Sequence, residues 1–284
     1  REVQGSPVVI VFAWRRPGGR GRAFAVVALV AWAVIVYGSF IEPRLLTVRR
    51  YDMRLGTGSE RLRVAVVSDT HLGFYKHTEW VERIVARVNA ESPDVVVLAG
   101  DLASTLAGTA AFPPFRGLRA KDGAYAVLGN WDYRAGAVDV RKAIESAGAE
   151  VLTNESVPIG GYTRSVRLIG LDDYEYGKPD WDAALRDVPP GALTIVAVHN
   201  PDFAPEGELR GIDVMLAGHT HCGQIRLPLI GPLPALPDAL GRRFDCGPFS
   251  YGPMKLFITR GVGESGTRAR LFDPPEISIL NLTF

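Results

Sequence analysis

Four of the five histidines in this 284-residue chain fall into a series with the look of metal ligands. The series runs Asp69-Thr70-His71, Gly100-Asp101, Gly129-Asn130, His199 and Gly218-His219-Thr220-His221. Two carboxylates, one amide oxygen and four imidazoles suit Mn, Fe, Zn or Co, and are too rich in nitrogen for Mg or Ca alone. Asp101 is the natural bridge, because one carboxylate can hold two cations roughly 3.5–4 Å apart. The expected partition gives Asp69, His71 and His221 with Asp101 to one metal, and Asn130, His199 and His219 with Asp101 to the other. The cofactor expectation is two divalent metal ions, Mn, Fe or Zn, with Mn favoured.

Positioning these groups requires strands. Val64–Val67 precedes Asp69, Val95–Leu98 precedes Asp101, Tyr125–Leu128 precedes Asn130, Thr194–Val198 runs into His199, and Val214–Leu216 precedes Gly218. Unbroken β-branched runs of this kind read as strands buried on both faces. In open α/β sheets the functional groups gather beyond the carboxyl ends of the strands, and the clusters occupy that position five times. Helical faces read over Thr78–Glu91, Val138–Ala147 and Trp181–Val188, with further strands over Val166–Leu171, Lys255–Thr259 and Ile277–Leu282. Singly, each ligand has a bland reading: an Asp after a strand caps a helix, an Asn after Gly makes a turn, and a His near a core is simply hydrogen-bonded. Order and strand context together favour the metal. Gly218-His219-Thr220-His221 is the strongest piece, since alternate residues of an extended segment share a side.

The order Asp-x-His, Gly-Asp, Gly-Asn-x-Asp, His, Gly-His-x-His resembles the calcineurin-like metallophosphoesterase superfamily from near Arg61 to Phe284. Ile41-Glu42-Pro43, His199-Asn200-Pro201-Asp202, Gly223–Pro228 and Pro274-Pro275-Glu276-Ile277 resemble its membrane-anchored bacterial branch, often described as similar to UDP-2,3-diacylglucosamine pyrophosphatase. The resemblance implies a four-layer sandwich of two mixed β-sheets flanked by helices; composition and periodicity alone say only α/β. It also implies hydrolysis of a phosphoester or pyrophosphate bond by a metal-bridging hydroxide.

One position departs from the pattern. Where the superfamily commonly has Gly-Asn-His, this chain has Gly129-Asn130-Trp131-Asp132, and an indole cannot donate a proton at neutral pH. General-acid help matters most for a strongly basic alkoxide leaving group. A phosphate leaving group, with a second pKa near ~6, departs without it. The expected preference is therefore for pyrophosphate or other activated bonds. Three further residues are candidates for catalytic roles. Asp132 could orient a ligand or a water, Arg226 could clamp a substrate phosphate, and His77 could fold back to replace the missing acid, although it reads more simply as a surface residue at a helix start.

The amino-terminal part has different chemistry. Residues 1–22 form a basic segment, in which Trp14-Arg15-Arg16 suggests a twin-arginine export signal with a poor continuation in Pro17-Gly18-Gly19. Ala23–Ile41 carries no charge, and as a helix it spans roughly 28 Å, enough to anchor in a bilayer. A linker is expected over 42–60 and the catalytic domain over 61–284. Arginines flank the apolar run on both sides, so the positive-inside rule leaves the side of the membrane open. A formal net charge of +1, with no basic stripe, argues against nucleic acid. The expected partners are a phosphorylated small molecule or lipid, and the membrane.

Two loops carry apolar residues close to the ligands: Leu102–Phe115 and Leu227–Leu240. They could line an entrance for a lipid-linked or nucleotide-sugar substrate such as UDP-2,3-diacylglucosamine, or close a small satellite core. Cys222 reads as a small residue packed beside the metals, a spare soft ligand, or half of a bridge to Cys246. The competing functions are a catalytically weakened metal-binding membrane sensor and a phosphodiesterase or phosphatase for soluble substrates.

Overall fold

A computed structural model describes residues 19–284. Most of the basic segment 1–22, including the twin-arginine candidate, lies outside the described residues. The apolar run forms α1 (Gly19–Val36) and continues through a wider turn over Tyr37–Ile41 and a tight turn over Glu42–Arg44. From Gly21 to Arg44 this stretch is long and apolar enough to cross a membrane, and little of it is buried.

The remaining chain folds into two six-stranded sheets. The first has the order β1 (Thr47–Arg54), β14 (Glu276–Thr283), β2 (Arg61–Val67), β3 (Val95–Ala99), β4 (Ala124–Val127) and β5 (Glu150–Val151). All its pairings are parallel except that of β14 with β2. The second has the order β12 (Gly247–Tyr251), β13 (Met254–Ile258), β9 (Val214–Ala217), β8 (Leu193–Ala197), β7 (Val166–Gly170) and β6 (Glu155–Ile159), parallel in its centre and antiparallel at both edges.

Alternation along the strands explains the layering. Val64 and Val66 of β2, with Val95 and Val97 of β3, face Ile195, Leu216 and Phe257 between the sheets. Ala65, Val67, Val96 and Leu98 point the other way, under α2 (Thr78–Ala90) and α3 (Asn130–Ser146). Val196, Met215 and Ile258 on the outer face of the second sheet receive α4 (Trp181–Leu185) and α5 (Ala204–Leu209) through Trp181, Phe203 and Ala204. The result is helix, sheet, sheet, helix: the four-layer sandwich. Trp80, Val81, Ile84, Val85 and Val88 of α2 are buried on one stripe, which contributes on the order of 10 kcal/mol of transfer free energy before entropy.

Two expectations are corrected. The stretch 42–60 is not only a linker: Thr47–Arg54 is the edge strand β1, paired along its whole length with β14. Its Arg49, Arg50, Asp52 and Arg54 hid the strand pattern, because exposed edges are guarded by charge. The helix expected from Val138 begins at Asn130 and bends at Gly136, whose φ is 117°.

Candidate metal centre

The ligands stand at the carboxyl ends of β2, β3, β4, β8 and β9. Backbone bonds hold two of these ends together, Asp69 N donating to Gly100 O (2.9 Å) and His71 N to Asp101 O (3.1 Å). Asp69, His71, Asp101, His219 and His221 all have φ between 45° and 71°. Each such non-glycine conformation costs about 1–3 kcal/mol, and strain of this kind gathers at functional sites. Two of the adjoining glycines have no substitute. A Cβ on Gly100 (φ 83°) would sit 2.7 Å from His199 Nδ1, and one on Gly218 would sit 2.6 Å from Asp69 Oδ2.

The seven side chains meet in two groups. The ligand atoms of Asp69, His71 and His221 all lie within 4.8 Å of one another, as do those of Asp101, His199 and His219. Asp101 Oδ2 lies between the groups, 3.6 Å from His71 Nε2 and 3.2 Å from His199 Nε2. Asn130 presents its amide to both Asp101 oxygens at 3.1 and 3.2 Å. His71 Nε2 and His221 Nε2 face each other at 3.0 Å, and Asp69 Oδ1 is 3.3 Å from His221 Nε2.

This donor set fits divalent cations on a structural ground. Buried acceptor atoms converge on each other, while His219 Nε2 and His221 Nδ1 are buried with no hydrogen-bond partner. Burial alone would not assemble such a set. Burial lowers His71 to about 4 and His219 to about 3, and lowers His221 well below its ordinary value, so these three rings are held neutral. Burial also opposes protonation of His199, but the adjacent Asp101 and Asp69 outweigh it and raise the ring to about 10. Asp69 is pushed up to about 6 by burial; Asp101 falls to about 2, because His199 and His71 overcome its burial. His199 Nδ1 bonds to Ala99 O (2.9 Å), which aims Nε2 at Asp101. Ser104 Oγ holds His71 Nδ1 at 3.1 Å.

None of the three candidates for catalytic roles lines the metal cavity. Asp132 is fully buried and reaches neither group; its oxygens accept from Ala103 N (2.9 Å) and Gly129 N (3.0 Å), so it ties the β4 end to the β3 end. Arg226 is engaged away from the cavity: Nη1 donates to Cys222 O and Nη2 pairs with Asp245 Oδ2, both at 2.8 Å. His77 is exposed at the start of α2, in a cavity also lined by Pro43, Tyr75 and Glu264, and does not line the metal cavity. Cys222 is neither a free small residue nor a ligand, being disulfide-bonded to Cys246.

The metal groups floor a cavity of about 470 Å³ bounded by Trp131, Arg134, Glu175, Gln224, Pro234 and Thr267. A larger groove of about 620 Å³ lies at the amino ends of β2 and β3, among Arg54, Arg61 and Asp94, and holds none of the ligands. Arg134 is the cation that sequence reasoning missed. It lies 5.2 Å above both the Trp131 and Tyr176 rings and donates from Nε and Nη2 to Tyr176 Oη. The available signal was Asp172-Asp173-Tyr174-Glu175-Tyr176, which closes β7 as the ligand clusters close their own strands. Of the apolar residues expected at an entrance, Phe112 and Phe115 belong to the core beside α2, and in the second loop Pro234, Ala235 and Pro237 line the cavity in place of Leu227, Leu229, Ile230, Leu233, Leu236 and Leu240.

Residues 62–223, more than half of the chain, match the calcineurin-like phosphoesterase model. The chain belongs to the calcineurin-like phosphoesterase family. It is a phosphoesterase by that membership, and its relatives bear similar names. It is 30% identical over 256 residues to "Phosphodiesterase YaeI" of Escherichia coli, covering 87% of this chain and 92% of that protein. It is 27% identical over 270 residues to "Uncharacterized metallophosphoesterase YkuE" of Bacillus subtilis, covering 92% and 93%. A zebrafish relative named "Transmembrane protein with metallophosphoesterase domain" is 30% identical over 274 residues, which cover 89% of this chain and 61% of that protein. Among solved structures, a 5'-nucleotidase precursor from Thermus thermophilus is similar at a TM-score of 0.48 and 15% identity, over 79% of this chain and 55% of that one.

Proposed function

We propose that this phosphoesterase is anchored in a membrane by α1 and cleaves phosphodiester or phosphoric-anhydride bonds in a phosphorylated small molecule or lipid. Asp69, His71, His221 and Asp101 would hold one divalent cation, and Asn130, His199, His219 and Asp101 a second, with manganese favoured. Such a pair supplies Lewis acidity toward water and toward the phosphoryl oxygens.

The chain's own residues set the substrate. Arg134 stands at the cavity mouth, where a guanidinium meets phosphoryl oxygens in a forked geometry. The Trp131 backbone N–H donates to Asp101 Oδ1 (2.8 Å), which fixes the bridging carboxylate, while its indole faces the cavity. Asp132 anchors Asn130 through the loop backbone. No imidazole stands where the leaving oxygen would need a proton, since all four site histidines belong to the metal groups. That observation carries the reading: the leaving group must depart as a weak base, which a nucleotide, phosphate or aryl oxide does and a simple alkoxide does not.

The test uses the purified full chain loaded with manganese. Its arms are an alkyl phosphomonoester, an aryl phosphodiester, and UDP-2,3-diacylglucosamine with and without its acyl chains. Rates at least ~10²-fold higher on the activated bonds are expected. Equal rates on the alkyl monoester and the pyrophosphate would overturn the proposed preference, and no gain from the acyl chains would remove the lipid.

A further inference from the structure

The two turns that continue α1, Tyr37–Ile41 and Glu42–Arg44, are built into the domain. Arg270 N donates to Gly38 O (2.8 Å), Asp273 N donates to the buried Glu42 carboxylate, and Arg83 Nη2 donates to Arg44 O (2.9 Å). Lys76 donates to Pro43 O and pairs with Glu264 at 3.1 Å. Turns fastened by so many bonds fix the direction in which α1 leaves the domain.

Exposed apolar groups surround this exit. Next to Arg270, Leu271 N donates to Gln224 O and its carbonyl accepts from Arg226 N, both at 2.9 Å. That pairing carries the hairpin of β10 (Arg226–Leu227) and β11 (Gly231–Pro232). At the hairpin tip Leu229 is wholly exposed and Ile230 60% exposed, and the neighbouring Phe272 is 58% exposed. On the other flank the Arg268 guanidinium lies 5.4 Å over Phe40 and 5.2 Å over Tyr75, beside the exposed Phe74. Arg44, Arg83 and Arg268 add cationic charge. Aliphatic tips, aromatic rings and arginines around a membrane-length helix match the layered chemistry of a bilayer surface.

The metal cavity adjoins this rim. Ser265, Gly266 and Thr267, which lie between the Lys76-paired Glu264 and the stacked Arg268, form one cavity wall, and Pro234, Ala235 and Pro237, just after the hairpin, form another. We infer that Phe74, Tyr75, Leu229, Ile230 and Phe272 rest in the interfacial layer of the bilayer that holds α1. The metal cavity then sits at headgroup depth and takes the phosphate head of an amphiphile from the same leaflet. This inference rests on the reading of α1 as an anchor.

The full chain, reconstituted into phosphatidylcholine vesicles with or without brominated acyl chains, tests it as wild type, Leu229→Trp and Leu209→Trp. Leu209 is exposed at the end of α5, next to Glu208, which packs on the Gly252 turn far from the ligand ends of the strands. Wild-type emission comes from five tryptophans, of which Trp32 lies in the anchor, so its bromine-sensitive part reports the anchor. Bromination is expected to quench wild-type emission and the extra emission of Leu229→Trp, but not that of Leu209→Trp. Quenching of wild type with no quenching of the extra Leu229→Trp emission overturns the rim and leaves the anchor standing; no quenching of any form overturns both. A concentration-dependent blue shift insensitive to bromination assigns the rim to a second copy of the chain and also overturns the inference. In the functional arm, Leu229→Ser with Ile230→Ser is expected to lower kcat/KM about ten-fold on a vesicle-borne lipid pyrophosphate, from lost apolar contact, and to leave a soluble aryl phosphodiester unaffected. Equal losses on both substrates refute it.

Discussion

Replacing Asp132 separates a residue that builds the centre from one that acts in it. Its two oxygens accept from Ala103 N and Gly129 N inside a fully buried pocket. Hydrogen bonds to a charged acceptor contribute about 1.5–3 kcal/mol each. Burial, and next the Asp101 charge, push the Asp132 carboxyl up to about 7, so desolvation offsets part of that gain. The lower half of the range is therefore expected: Asp132→Ala should lose roughly 3 kcal/mol of stability, and Asp132→Asn, which keeps one acceptor, about half as much. The same bonds hold Gly129 and Asn130 against Asp101. A shift of about 1 Å in Asn130 is enough to cost roughly 10²-fold in turnover. Denaturant unfolding of the full chain in detergent gives the first quantity; metal content after dialysis and kcat on an aryl phosphodiester give the second. Stability, metal content and kcat should fall together, with the alanine variant the more affected. Unchanged stability and full metal content alongside a collapsed kcat would refute the argument, because Asp132 would then have to act on the substrate directly.

Other outcomes follow from particular contacts. Arg134→Ala should raise KM for a phosphodiester about ten-fold with a smaller change in kcat, whereas Arg226→Ala should leave KM in place and cost about 1–3 kcal/mol through its lost Asp245 pair; steady-state kinetics and unfolding of both variants distinguish the two arginines. Burial lowers Lys76 to about 8 despite Glu264. Its unfolded form binds a proton up to about pH 10.5, so between those values the unfolded state holds more protons and stability rises with pH. Wild type should gain roughly 1–2 kcal/mol over Lys76→Met from pH 8 to 9.5 in parallel unfolding titrations, and a falling difference would contradict the burial argument. The Cys222–Cys246 bond spans a separation of 24 residues, for which loop entropy gives about 3 kcal/mol. Cys246→Ser should loosen 224–246 in hydrogen exchange and lower Tm, and alkylation of the native protein without reductant should label neither cysteine if the domain faces an oxidising compartment.

The strands of both sheet centres were legible because buried parallel strands need unbroken apolar runs, as in Val95–Leu98 and Thr194–Val198. The edge strand β1 was not, since its charges serve exposure rather than burial. The partners of Asp132 and Arg226 were not legible for a related reason. Sequence distance to a motif says nothing about whether a neighbouring backbone N–H or a carboxylate such as Asp245 will capture the side chain first. Arg134 was overlooked because its place at the mouth depends on Tyr176, 42 residues on, brought beside it by the pairing of the second sheet.

Residue type and order were enough to establish which atoms could bind a metal, that they end strands, and that one apolar helix is long enough for a bilayer. Those properties depend on chemistry and local periodicity, which a linear chain carries by itself. Tertiary structure alone decided that Asp132 ties the β4 end to the β3 end, that Arg134 rather than Arg226 faces the cavity, and that the helix exit and the cavity share the Glu264–Arg270 segment. Each depends on contacts between residues far apart in sequence, and their geometry exists only once the two sheets have packed.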